Sequence, residues 1–186
     1  MRYRKVFVFG ELKTLAFSSF FFLSNRSLWN YIQNESWSED YRNQRRIELT
    51  NIILAILINY DHLNYFQGFH DVVAVFLQVF VNDKLAYALT EHVCLNYFTE
   101  CMLPDFKIVA LSIEQLTNLI KVGDRELYEH LWCAGVQPFF AFSWIITWFS
   151  HDLKDLDSVS RVFDVMLSSP PCFSLYLAAA VRYLML

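Results

Sequence analysis

Apolar and polar residues follow a helical period along most of the chain. In "RRIELTNIILAILINY" the apolar residues recur at helical spacing and cover nearly the whole circumference, which predicts a central, buried helix. The segment "HDVVAVFLQVFV" predicts a second apolar helix that follows Gly68. No alternating strand pattern is sustained and no internal repeat is visible. The pattern therefore predicts an all-α, multi-helix domain.

Acidic residues mark the predicted beginnings of three further helices. Asp83 is the predicted N-cap of "KLAYALTEHVCLNYF", Asp124 precedes "RELYEHLWCA", and Asp157 is the predicted cap of "SVSRVFDVMLSS". A carboxylate suits this position because it accepts hydrogen bonds from the free N–H groups of the first helical turn.

Prolines and a glycine mark where helices end. Pro104 separates "IVALSIEQLTNLIKV" from the preceding helix, and the pair Pro170-Pro171 precedes a last helix that runs to Leu186. Gly135 fits the C′ position of a helix, and Pro138 fits the first turn of the next one.

The segment Leu131–Ser150, "LWCAGVQPFFAFSWIITWFS", carries no charged residue and has the length of a membrane span. Its Gly135 to Pro138 break and its polar residues favour a pair of buried helices instead. We therefore expect its aromatic residues, Trp144, Trp148 and Phe149, to lie in a protein core. The alternative is a membrane protein with several spans, and extraction with alkaline carbonate distinguishes the two.

Charge and composition exclude several classes of function. The net charge of −4 and the pI near 5.7 argue against a nucleic-acid surface, which normally has a basic excess. The basic run "YRNQRR" is typical of a solvated helix start. No GxGxxG, Walker loop or GxSxG motif occurs, and a phosphate-binding loop is hard to build with only four glycines in the chain. We expect that the protein does not bind a nucleotide by itself.

The four cysteines, Cys94, Cys101, Cys133 and Cys172, form no CxxC motif and no metal-ligand spacing with histidine. They are typical of reduced, mostly buried thiols of an intracellular protein, so neither zinc nor a disulfide framework is expected. His70 and His151 have no nucleophile at a readable spacing, which argues against a hydrolase site.

Residues 1–24 differ from the remainder of the chain. The stretch "VFVFGELKTLAFSSFFFLS" is rich in phenylalanine, lacks helical periodicity and meets a polar segment abruptly at Asn25. Three basic residues precede it, as in a signal peptide, but no small-residue cleavage site follows. Residues 1–24 are therefore interpreted as an atypical N-terminal segment, separate from the predicted fold.

The motif "YFQG", Tyr65 to Gly68, followed by Asp71, resembles the second signature of the TBC domain of Rab GTPase-activating proteins. Downstream, "FSWIITWFSHDL" and "RVFDVML" resemble the third signature region of the same family. The resemblance extends from Asn25 to the C-terminus, so residues 25–186 are interpreted as a partial TBC domain. It implies an all-α fold and a protein that stimulates GTP hydrolysis by a Rab, not a hydrolase in its own right.

The resemblance also implies which residues act. In that family an arginine and a glutamine enter the nucleotide site of the Rab, and the matching residues here are Arg26 and Gln67. By the resemblance, Tyr65 would wedge the loop of Gln67 against the core, and Gly68 would let its backbone turn tightly. Asp71 would favour the following helix end and orient a neighbouring group. GTP and Mg²⁺ belong to the partner Rab, so the resemblance implies no cofactor and no metal of the chain's own.

The first signature of the family matches only in part. Leu23 stands where the family has an aspartate, and Phe20 stands where it has an isoleucine. "AFSSFFFLS" is typical of a translated pyrimidine-rich intron end, so one hypothesis is that residues 1–24 replace a native upstream exon and that the domain is truncated at both ends. The alternative function is then a catalytically impaired module that binds a Rab without accelerating hydrolysis.

The resemblance also implies a binding partner and a location in the cell. Its partner would be a Rab-family GTPase of vesicle traffic between the ER and the Golgi, with no nucleic acid involved. The protein would be cytoplasmic, at the cytosolic face of either compartment. Contact with a membrane would be indirect, through the Rab or through a C-terminal anchor of a longer form.

Overall fold

A computed structural model describes residues 38–80, 82–105, 107–136 and 138–184. These residues form eight α-helices and two short 3₁₀ helices, and no strand occurs among them. The chain divides into two compact units, of which one ends at His92 and the other begins at Val93. The predicted all-α fold is confirmed.

The first unit contains α1 (Glu39–Asn59), α2 (Phe69–Val79) and most of α3 (Asp83–Asn96). Every residue of α2 from Phe69 to Leu77 is buried. Helix α1 packs against α2, and its buried apolar positions are Leu49, Ile52, Ile53 and Ile56.

Helix α1 is not buried on all sides, contrary to the sequence prediction, because some of its apolar residues are exposed. Ile47 is 53% exposed and Ile58 is 49% exposed within the described part of the chain. The basic run at its start also differs from expectation, because Arg45 is buried whereas Arg42 and Arg46 pair with Glu39 at 3.9 and 3.2 Å. The interpretation of the whole run as a solvated surface is therefore wrong at Arg45.

The second unit contains α4 (Lys107–Gly123), α5 (Arg125–Cys133), α6 (Phe142–Thr147), α7 (Leu156–Leu167) and α8 (Phe173–Leu184). The 3₁₀ helices are Thr99–Met102 and Pro138–Ala141. Helix α4 contacts both α5 and α8, and α6 also contacts α8. The buried residues of α4 recur at helical spacing: Val109, Ile113, Leu116 and Ile120.

Trp148 lies at the centre of an aromatic cluster in this unit. Its ring centroid lies 5.1 Å from that of Tyr97, 4.9 Å from Phe98 and 5.3 Å from Phe163. Phe149 is also buried and stacks on Trp144, which is half-buried, at 5.3 Å. The expected core role of these residues is confirmed for Trp148 and Phe149.

Two predicted caps are confirmed and two are wrong by one or two residues. The Asp124 carboxylate accepts from the Leu127 N–H at 2.9 Å, and Gly135 takes a left-handed backbone with φ 65° after α5. Asn82, rather than Asp83, accepts from the first turn of α3, through the Lys84 N–H at 2.9 Å. Asp155, rather than Asp157, caps α7.

The described residues test the predicted burial of the thiols and the alternative of a membrane span. Cys94 is buried and Cys101 partly so, but Cys133 and Cys172 are exposed, so the thiols are not mostly buried. None of the described helices combines the length and the hydrophobicity that crossing a bilayer requires.

Candidate functional site

A sharp turn precedes α2 and contains the "YFQG" motif. The Phe69 N–H donates to the Phe66 carbonyl at 3.2 Å, and the Asp71 N–H donates to the Gly68 carbonyl at 2.9 Å. Gly68 is the N-cap residue of α2 and has φ 107°, a left-handed backbone that glycine adopts without the clash of a Cβ. The motif therefore needs its glycine to pass from the turn into the helix.

Gln67 is exposed, although both of its neighbours in the chain, Phe66 and Gly68, are buried. The Phe66 ring packs on the ring of Phe69, with the centroids 5.6 Å apart. These buried neighbours fix the turn against the unit while the carboxamide of Gln67 stays at the surface. A neutral amide in this position can donate through its NH₂ group and accept through its carbonyl oxygen.

Tyr65 and His70 contact each other across the turn. The Tyr65 hydroxyl lies 2.5 Å from Nδ1 of His70, and the two rings stack with centroids 6.1 Å apart. Burial, followed by the charge of Asp71, raises the pKa of Tyr65 above its ordinary value, although the Gly68 backbone N–H stabilises the phenolate and opposes the rise. Tyr65 therefore stays protonated at neutral pH.

Asp71 lies in the first turn of α2, as predicted, and its side chain is buried there. A carboxylate there interacts favourably with the positive end of the helix dipole. Its Oδ1 lies 3.8 Å from Nε2 of His70. The structure thus brings together four of the predicted residues, Tyr65, Gln67, Gly68 and Asp71, within a single turn and its helix.

The other predicted residue of the site, Arg26, lies outside the described residues, as do Leu23 and the whole segment 1–24. Its role stays a prediction. Within the described ranges, no group of three or more His, Cys, Asp or Glu side chains is arranged to bind a metal ion.

His70 is the residue of this site that the sequence did not reveal. The sequence indicates only that His70 has no nucleophile beside it, whereas in the structure the ring is buried and hydrogen-bonded to Tyr65. The available signal was its position two residues after Gly68, where a helix begins and where the ring can fold back over the turn. Spacing alone does not show that Tyr65 is its partner.

Comparisons with known proteins agree on one family. A family model described as the Rab-GTPase-TBC domain matches residues 25–185. The GTPase-activating protein gyp10 of Schizosaccharomyces pombe is 34% identical over 158 residues, which cover 85% of this chain and 41% of the relative. TBC1 domain family member 20 of Homo sapiens is 36% identical over 143 residues, covering 77% of this chain and 35% of the relative.

A third relative is more distant. The GTPase-activating protein GYP8 of Saccharomyces cerevisiae is 31% identical, and the match covers 67% of this chain and 31% of the relative. The chain thus spans less than half the length of each of these three relatives.

Proposed function

Because the chain belongs to the Rab-GTPase-TBC domain family, we propose that it stimulates GTP hydrolysis by a Rab-family small GTPase. The family membership confirms the resemblance that the "YFQG" motif indicated. In this proposal the chain supplies the guanidinium of Arg26 and the carboxamide of Gln67 in trans. The Rab binds GTP and Mg²⁺, and the chain needs no cofactor of its own.

The exposed Gln67 is the observation that carries the proposal. It projects from a turn whose other members are buried or half-buried, at the beginning of a fully buried helix. An amide presented at the surface on a defined turn suits the reaction, because the attacking water has to be held in line with the phosphoryl group. The amide carbonyl can accept from that water while the NH₂ donates to a phosphate oxygen.

The proposed role of Arg26 rests on the resemblance alone. An arginine suits it because the guanidinium stays charged and presents a planar fork of donors to phosphate oxygens. Supplied in trans, such an arginine is worth about 10³ to 10⁵ in rate. The finer proposal, that the partner is a Rab of ER–Golgi traffic met at the cytosolic face of those membranes, also rests on the resemblance.

The test is single-turnover GTP hydrolysis by a panel of Rabs, drawn from the ER, the Golgi and other compartments, in the presence of excess chain. We expect one or more Rabs to be accelerated, and Arg26→Ala and Gln67→Ala each to abolish the acceleration. The matched controls are Arg161→Ala and Gln115→Ala, which remove exposed side chains of the same types from α7 and α4. Equal activity of Gln67→Ala and wild type would contradict the proposal.

Leu23 supports a second candidate function, that of a module which binds a Rab without activating it. The family has an aspartate at this position, three residues before the arginine. An arginine misplaced by about 1 Å can lose on the order of 100-fold in rate. Binding of a GTP-loaded Rab without faster hydrolysis would favour this candidate, and restoration of activity by Leu23→Asp would identify the cause.

A further inference from the structure

Tyr65 and His70 close the turn that carries Gln67. The hydroxyl of Tyr65 lies 2.5 Å from Nδ1 of His70, so the two residues that flank the Phe66–Phe69 turn are joined directly. The stacked rings, inclined by 26°, add a second contact between the same residues. The turn is thereby held at both of its ends by side chains as well as by its own backbone hydrogen bonds.

The direction of this hydrogen bond follows from the chemistry of the two groups. A tyrosine hydroxyl is protonated at neutral pH, and Tyr65 is largely buried beside Asp71, which disfavours its phenolate further. A protonated hydroxyl can still donate or accept, so the tautomer of His70 decides the direction. The Asp71 carboxylate lies 3.8 Å from Nε2 and favours the tautomer with its proton on that nitrogen, which leaves Nδ1 to accept from the Tyr65 hydroxyl.

His70 is only 4% exposed, so it is placed to act on the turn rather than on a bound partner. Gly68 gives the turn a backbone that few other residues adopt, and it contributes no side-chain contact of its own. The contact between Tyr65 and His70 adds to the restriction that the packed rings of Phe66 and Phe69 provide. This contact joins a residue before Gln67 to a residue after it, and so restricts the backbone from which the Gln67 side chain extends.

We infer that His70 is a positioning residue: it accepts the hydrogen bond of Tyr65 and thereby fixes the turn that presents Gln67. The effect of His70 on catalysis rests on the proposed function. The clamp, by which we mean the hydrogen bond between Tyr65 and His70, does not depend on that function. The effect on rate should be large, because a displacement of about 1 Å at a catalytic group costs on the order of 100-fold.

The first test measures the rate constant of GTP hydrolysis at saturating chain. His70→Leu removes the acceptor, and we expect it to lower this rate constant by roughly 10- to 100-fold. The concentration of chain that gives half of the maximal rate should change little. His70→Asn should restore most of the rate, because its Oδ1 can occupy the position of Nδ1. The matched control His62→Leu changes an exposed histidine outside the turn and should have no effect.

A double-mutant cycle distinguishes positioning of Gln67 from a general effect of His70 on the stability of the fold. The cycle uses Gln67→Asn, which keeps an amide on a shorter side chain and is expected to leave a measurable part of the acceleration. If His70 acts through Gln67, His70→Leu should cause a smaller loss in the Gln67→Asn chain than in wild type. Additive losses, or full activity of His70→Leu, would overturn the inference.

The second test does not depend on activity. In His70→Leu the backbone amides of Phe69 and Asp71 should exchange hydrogen roughly tenfold faster than in wild type, because their bonds close the turn, while amides in the middle of α2 keep their protection. His70→Asn should exchange like wild type. Unchanged exchange at both amides would overturn the inference, whatever the activity. Faster exchange in a chain that accelerates no Rab would support the clamp and contradict the proposed function alone.

Discussion

Arg45 of α1 donates through its guanidinium to the backbone carbonyl oxygen of Leu77, in the last turn of α2. Carbonyls at this end of a helix lack partners within the helix, and the negative end of the helix dipole favours a cation. A second nitrogen of the same guanidinium lies 2.7 Å from a carboxylate oxygen of Glu48. One buried side chain therefore ties α1 to the helix that carries the candidate site at its other end.

Replacing Arg45 by alanine should lower the free energy of unfolding by about 1–3 kcal/mol, because it leaves a buried carbonyl without its donor. The matched change Arg42→Ala removes a guanidinium that lies 3.9 Å from an exposed carboxylate, and should cost about 1 kcal/mol or less. Urea unfolding of both variants measures the difference. Equal midpoints would show that the contact with Leu77 contributes nothing to stability.

Gly68→Ala should damage both stability and activity. Its φ of 107° is strained for any residue with a Cβ, so we expect a loss of about 1–2 kcal/mol and a displaced Gln67. Gly135→Ala is the control: its φ is also positive, at 65°, but a Cβ there meets no atom within 4 Å. It should lose comparable stability in thermal unfolding and keep the acceleration of GTP hydrolysis. Equal acceleration by the two variants would show that Gly68 serves the fold alone.

The all-α fold and the turn at Gln67 could be predicted because their signals are local. The cap at Asp124 is one example, since the residue bonds the N–H only three positions ahead. The caps at Asp83 and Asp157 were misplaced because each has a neighbour that can cap equally well, Asn82 in one case and Asp155 in the other. The chain context alone does not decide between such neighbours.

Tertiary contacts account for what the sequence did not reveal. The burial of Arg45 depends on a carbonyl 32 residues away, and nothing in the run "YRNQRR" distinguishes it from the two arginines that are only partly buried. The pairing of Tyr65 with His70 depends on the shape of the turn between them. Helical period predicted which residues lie in helices, but not which polar side chains they bury.

Trp148→Ala should be among the most destabilising changes in the second unit. Its side chain is 2% exposed and contacts Tyr97, Phe98 and Phe163, so we expect a loss of about 3–5 kcal/mol. Trp132→Ala removes a side chain that is 70% exposed and should change stability by about 0.5 kcal/mol. Denaturant unfolding monitored by circular dichroism compares the two. Similar midpoints would contradict a core role for Trp148.

Asp155 should give α7 a stability that depends on pH. The hydroxyl and the N–H of Ser158 donate to its carboxylate at 2.6 and 2.8 Å and hold its pKa below the usual value. Because the folded chain binds the proton more weakly than the unfolded chain, this stabilisation is complete above the pKa of the unfolded state, about 3.9. It is lost as the pH falls through the lower pKa of the folded state.

The melting temperature of Asp155→Ala should therefore lie below that of wild type at neutral pH, and the difference should narrow only in acid, below about pH 4. Asp157→Ala is the matched control, since it removes an acidic residue from the first turn of the same helix without removing the cap. Thermal unfolding as a function of pH measures both variants. A difference that is the same in acid as at neutral pH would show that the capping bonds do not depend on the charge of Asp155. A larger drop in melting temperature for Asp157→Ala than for Asp155→Ala would show that Asp157 is the cap, as the sequence predicts.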